Sequence, residues 1–95
     1  MREVIFKLSK NPNKKYDAVV DGKTVSFGAK GYSDYLHHKD PQRKQNYIDR
    51  HRANEDWNDL TKAGTWSRYI LWGETTLRES LKKMEERFHI KIKIM

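Results

Sequence analysis

The sequence predicts an α+β fold: a hairpin-based antiparallel sheet of about four strands, three amino-terminal and one carboxy-terminal, with two to three helices packed on one face. Three observations carry the prediction. Residues 2–10, REVIFKLSK, alternate with Val4, Phe6 and Leu8 on one side and Glu3, Ile5, Lys7 and Ser9 on the other, the period of a half-buried strand. Residues 15–28, KYDAVVDGKTVSFG, contain two alternating arms joined by Asp21-Gly22, a pair suited to the positive backbone angles of a two-residue type I′ turn. Residues 75–95, TTLRESLKKMEERFH followed by IKIKIM, read as a capped amphipathic helix running into a strand.

The elements follow in order. After strand one, Asn11-Pro12-Asn13 breaks the alternation and marks a turn. With Asp21 and Gly22 as the hairpin loop, Ala18 lies opposite Val25 and Tyr16 opposite Phe27, so the apolar residues of both arms share a face. Gly28 to Tyr35 reads as a loop or a short helical turn, with Gly28 and Gly31 letting the chain leave the hairpin. Asp40-Pro41 caps and opens a helix to about Ala53, with Tyr47, Ile48 and His51 inward and Arg43, Lys44, Arg50 and Arg52 mostly outward. Residues 65–73, TWSRYILWG, read as a short apolar helix ended by Gly73. In the last helix Thr76 and Glu79 form a capping box, and Leu77, Leu81, Met84 and Phe88 make its apolar stripe. Ile90, Ile92 and Ile94 then face one way and Lys91 and Lys93 the other, in a strand that pairs with an open edge of the amino-terminal sheet.

Ninety-five residues suit a single domain, 1–95, that buries roughly 60 to 65% of its unfolded surface. With 36% hydrophobic and 12% aromatic residues, aromatic rings must supply much of the core. No cysteine is present, which excludes disulfides, thiolate metal sites and cysteine nucleophiles. Neither a signal peptide nor a membrane-spanning run is evident, so the expected setting is soluble and cytosolic or nuclear.

The formal charge is +7, and it lies at the two ends. Residues 1–31 carry seven basic and three acidic side chains, 32–62 carry six of each, and 63–95 carry seven and four. Such a balance suits a polyanion, because each cation set against a phosphate releases condensed counterions; it also serves solubility alone. Residues 28–47, GAKGYSDYLHHKDPQRKQNY, interleave rings with cations. Rings stack on bases while cations track phosphates, so Lys30, Tyr32, Tyr35, Lys39, Arg43, Lys44, Arg50 and Arg52 are the expected nucleic-acid contacts. The alternative use of those rings, and of Trp57, Trp66 and Trp72, is to fill the core. A sheet face carrying Lys7, Lys14, Lys15 and Lys23 is a second geometry for entering a groove of nucleic acid.

Other chemistry finds less support. Asp34, His37, His38 and Asp40 resemble a metal or acid/base cluster, but adjacent histidines diverge on a helix or a strand; a nuclease reading based on His38 would have to recruit His51 or Asn54. Gly28-Ala29-Lys30-Gly31 matches a GXXG loop, yet such a loop joins two helices and this one leaves a strand. No nucleophile elbow or phosphate-binding loop motif occurs. No catalytic residue, metal ligand set or cofactor is expected.

The segments FGAKGYSDYLHHKDPQRKQNYIDRHRANEDW, AGTWSRYILW and the Thr76-Leu77 that opens the last helix together resemble a family of small uncharacterised proteins encoded by large DNA viruses of algae and protists. The resemblance spans residues 28–79. It implies a viral protein in the host cytoplasm or nucleus, or packaged in the virion, and it implies no chemistry. The expected function is therefore a small basic viral accessory protein that binds nucleic acid mainly through its phosphates. Two alternatives stand beside it: a structural or interaction component of the virion that meets a viral or host protein through TWSRYILW, and a small metal-dependent nuclease.

Overall fold

A computed structural model describes residues 2–95. Strands β1 (Arg2–Leu8), β2 (Lys14–Val20) and β3 (Lys23–Ala29) are followed by helices α1 (Tyr35–His38), α2 (Pro41–Arg52) and α3 (Ala63–Trp66). α3 continues as a π-helical turn over Ser67–Leu71; α4 (Leu77–Phe88) and β4 (Ile90–Ile94) complete the chain. The fold is α+β, and the sheet order is β3-β2-β1-β4.

The hairpin register is the one that the turn chemistry dictates. Asp21 and Gly22 adopt φ of 51° and 81°, and Ala18 pairs with Val25 and Tyr16 with Phe27. β1 adds to β2 antiparallel, with Phe6 opposite Ala18. β4 joins the free edge of β1 in parallel, Arg2 beside Ile90 through Phe6 beside Ile94, so the sheet is mixed rather than wholly antiparallel. Its direction is set by α4: His89 ends that helix in the left-handed region at φ 53°, its N–H donates to the Glu85 carbonyl, and the strand begins at the next residue.

Both long helices begin as their sequences require. Asp40 accepts from the Gln42 and Arg43 amides with Pro41 in the first turn, and Thr76 accepts from the Glu79 amide. Of the apolar segment 65–73 only Thr65 and Trp66 are α-helical, closing the single turn of α3, before the chain loosens into the π-turn. That segment is the centre of the core. Trp66 is fully buried, stacks on Phe27 at 5.9 Å between centroids, and donates its indole N–H to the Leu60 carbonyl at 2.8 Å. Ile70, Leu71, Leu81 and Met84 close over Val4, Phe6, Val20 and Val25 on the same side. On the opposite side of the sheet Asp17 is occluded by its own neighbours, accepting from the Ser9 and Ser26 hydroxyls at 2.6 Å each.

Candidate nucleic-acid interface

Where the sheet ends, the chain must turn sharply against a packed helix. Gly28 sits there at φ 79°, and a Cβ on it would lie 2.8 Å from Leu71 Cδ1 and 3.1 Å from Lys15 Cβ. Glycine is thus required both by conformation and by space. The loop that follows descends past Tyr32 to Asp34, whose buried carboxylate caps α1 through the His37 amide and accepts Lys15 Nζ at 2.5 Å. Lys15 Nζ also donates to the Tyr32 carbonyl at 2.7 Å, fastening the loop to β2.

Between this loop, α2 and the α3 region runs a groove of about 590 Å³. Lys14, Lys15 and Tyr32 form one side, Arg43, Tyr47, Arg50 and His51 the α2 side, and Ser67 and Trp72 the far end. The α2 residues fall at i, i+4, i+7 and i+8, one face of a helix. An aromatic ladder stiffens that wall. Tyr47 stacks on Trp72 at 4.4 Å and 5°, and on His51 at 4.3 Å and 29°. His38 lies 5.2 Å beyond Trp72, and Tyr35 6.2 Å beyond His38. Burial first, and then the Glu55 carboxylate, push the Tyr47 hydroxyl up to about 12, so it stays protonated.

The charges along the groove differ in availability. Among the described residues, Lys14, Arg43 and Arg50 have no carboxylate within ion-pair distance, whereas Lys15 is committed to Asp34. His51 Nδ1 lies 2.8 Å from Glu55 Oε2; the two pair electrostatically when the imidazole is protonated, but are not aligned as a hydrogen bond. Tyr32 is 75% exposed at the lip, its ring open to stacking.

The expected contact residues therefore separate. Tyr32, Arg43 and Arg50 come together on the groove. Tyr35 and Lys44 are turned to a structural contact: Lys44 Nζ sits 4.8 Å over the Tyr35 ring and donates to the Gly73 carbonyl at 2.6 Å, tying α2 to the end of the π-turn. Burial lowers the Lys44 pKa, with Arg68 adding to the effect. Lys39 caps α1 at φ 54° and folds its Nζ onto the Leu36 carbonyl. Lys30 and Arg52 are exposed but do not line the groove. Lys14 and Lys15 face the α2 cations across it, a juxtaposition that the strand pattern could not show; the i, i+4, i+7 spacing of Arg43, Tyr47 and Arg50 was the available signal.

The histidine and aspartate cluster has a conformational use. Asp34 caps α1, Asp40 caps α2, and His38 Nδ1 accepts the Asp40 amide at 3.0 Å, joining the two caps. Burial lowers the His38 pKa, followed by the nearby Arg43 charge. Gly28-Ala29-Lys30-Gly31 is a strand exit, with the Lys30 amide on the Asn13 carbonyl, and does not join two helices.

These features define a class: a small α+β protein whose mixed four-stranded sheet and capped α2 frame a cationic, ring-lined groove. The chain belongs to a family of unknown function, DUF5754, whose model matches residues 4–51. The match runs from Val4 within β1 to His51 in the last turn of α2 and takes in Lys14, Tyr32, Arg43, Tyr47 and Arg50; it shares residues 28–51 with the span that resembles the viral family. No curated protein and no solved structure matches the chain. Among the described residues, no helix is long and apolar enough to cross a membrane.

Proposed function

We infer that the protein binds nucleic acid without catalysing a reaction, holding a single strand along the α2 groove chiefly by its phosphates. The observation that carries this reading is the convergence of three unpaired cations, Lys14, Arg43 and Arg50, with the exposed Tyr32 ring on one groove. Arg43 and Arg50 stand about 10 Å apart along the helix axis, a span that reaches beyond one phosphate. Guanidinium groups bind phosphate oxygens in a fork, and a ring at the lip stacks on any base, so binding tolerates sequence. The resemblance to small proteins of large DNA viruses supports a place in viral replication or packaging, in the host cytoplasm or nucleus or in the virion.

The competing reading, a protein interface built from residues 65–72, is weakened because Trp66, Ile70 and Leu71 are buried. The nuclease reading is weakened by the capping use of Asp34, His38 and Asp40. The test is fluorescence anisotropy of a labelled random 12-nucleotide strand across a salt series. Three phosphate contacts at about 0.7 each predict a log–log slope near −2, roughly a hundredfold loss of affinity per tenfold rise in salt. No binding at low salt, or binding indifferent to salt, would refute the reading.

A further inference from the structure

A second surface lies on the other side of the molecule. β4 is an outer strand, hydrogen-bonded only to β1. The Met95 amide donates inward to the Phe6 carbonyl at 2.9 Å, so by alternation the Ile92 and Ile94 amides point outward, toward the open edge. The Ile92 amide is held there by a side chain, Glu85 Oε2 at 2.8 Å, rather than by a strand. Beside this edge α4 leaves a groove of about 720 Å³ floored by Leu77, Leu81, Ile92 and Ile94, with Ile94 70% exposed. Arg78 and Lys82 stand on its α4 rim, and Lys91 and Lys93 on the opposite face of the strand, where Lys93 Nζ lies 3.4 Å from the Glu3 carboxylate of β1 with both side chains more than half exposed.

We propose that the β4 edge is a strand-addition site for an acidic peptide of alternating apolar and acidic residues. An added strand turns alternate side chains to opposite faces. Its apolar residues enter the α4–β4 groove, and its carboxylates stand beside Lys91 and Lys93. The peptide amides and carbonyls take up the outward groups of Ile92 and Ile94, and the Glu85 carboxylate is displaced from the Ile92 amide. Charge selects the occupant. A second copy adding antiparallel about Ile92 would set Lys91 directly against Lys93 in both directions, and like charges directly opposite destabilise a pair. The lysines that guard the edge against self-association therefore favour an acidic partner.

The probe is a fluorescein-labelled Glu-Val-Glu-Val-Glu-Val-Glu peptide, read by anisotropy and by amide exchange at Ile92 and Ile94. The expected result is at least tenfold tighter binding than a peptide of the same composition without alternation, with slowed exchange at those two amides. Ile94→Asp, at an exposed position, weakens binding at least tenfold, and Lys91→Glu with Lys93→Glu transfers the preference to the corresponding lysine-valine peptide. Arg43→Ala with Arg50→Ala, in the nucleic-acid groove, leaves peptide binding unchanged, which separates this site from the function inferred above. Equal binding of the two acidic peptides, or loss in the Arg43/Arg50 variant, overturns the proposal as mere attraction to a basic protein. Protection of the same amides without peptide, growing with protein concentration, overturns it in favour of a second copy.

Discussion

Gly28→Ala separates the two demands placed on the strand exit. Alanine at φ 79° occupies the left-handed region, at about 1 to 2 kcal/mol. Its methyl group would also stand 2.8 Å from Leu71 Cδ1 and 3.1 Å from Lys15 Cβ, and overpacking of this kind costs a further 1 to 3 kcal/mol or so. The expected destabilisation is about 2 to 5 kcal/mol, a large fraction of the roughly 5 to 14 kcal/mol typical of a chain this size. Gly22→Ala supplies the control, because its φ of 81° is nearly the same and nothing lies within 4 Å of the added Cβ. It should lose only the conformational share, about 1 to 2 kcal/mol. Urea unfolding of both variants, compared at unchanged m-value, reads the difference. Equal losses would show that the contact with Leu71 and Lys15 does not shape the exit, and with it the wall of the groove.

Three further outcomes follow from named contacts. Lys44→Ala should destabilise the fold by about 1 to 2 kcal/mol, through the lost bond to Gly73 and the cation over Tyr35, while leaving affinity for a single strand unchanged in anisotropy. His38 is held below its ordinary 6.5 by burial and by Arg43, against the opposing pull of Asp40 and Asp34, so charging it costs more in the folded than in the unfolded chain. Its share of stability is complete above about pH 6.5 and falls as pH drops toward the folded value; His38→Asn should remove that share from a pH series of unfolding curves. Partial burial acts to raise the Asp17 pKa, but the Ser26 and Ser9 hydroxyls and the Lys10 amide outweigh it and bring it below 3.8. Its contribution is therefore present above pH 4 or so and lost on further acidification, and Ser9→Ala with Ser26→Ala should flatten that acid limb.

How much could be read beforehand depended on the range over which each signal acts. Asp21-Gly22, Asp40-Pro41 and Thr76 act within three or four residues, and their turn and caps are found where the sequence put them. Alternation in β4 identified its buried side, but says nothing of direction, and the parallel pairing with β1 follows from how α4 delivers the chain. The run TWSRYILW is too short and too crowded with rings for one apolar stripe to stand out, so periodicity could not reveal its π-turn. Charge was the least legible. Lys44 and Arg43 are neighbours in a basic helix, yet one is bound to Gly73 and the other faces the groove. Pairing of Lys15 with Asp34, and the meeting of Lys14 with Arg43 and Arg50, are products of tertiary folding.

The proposed function depends on the unpaired cations of this groove holding phosphates. Its most direct test is the salt slope of single-strand binding by the Arg43→Ala/Arg50→Ala double variant, beside a Lys82→Ala/Lys83→Ala variant whose exposed lysines lie on α4 away from the groove. Removal of two phosphate contacts should shrink the slope by about 1.4, from near −2 to near −0.7, while the α4 variant keeps the parent slope. An unchanged slope in the Arg43/Arg50 variant, or the larger change in the α4 variant, would show that phosphates are held elsewhere than in this groove.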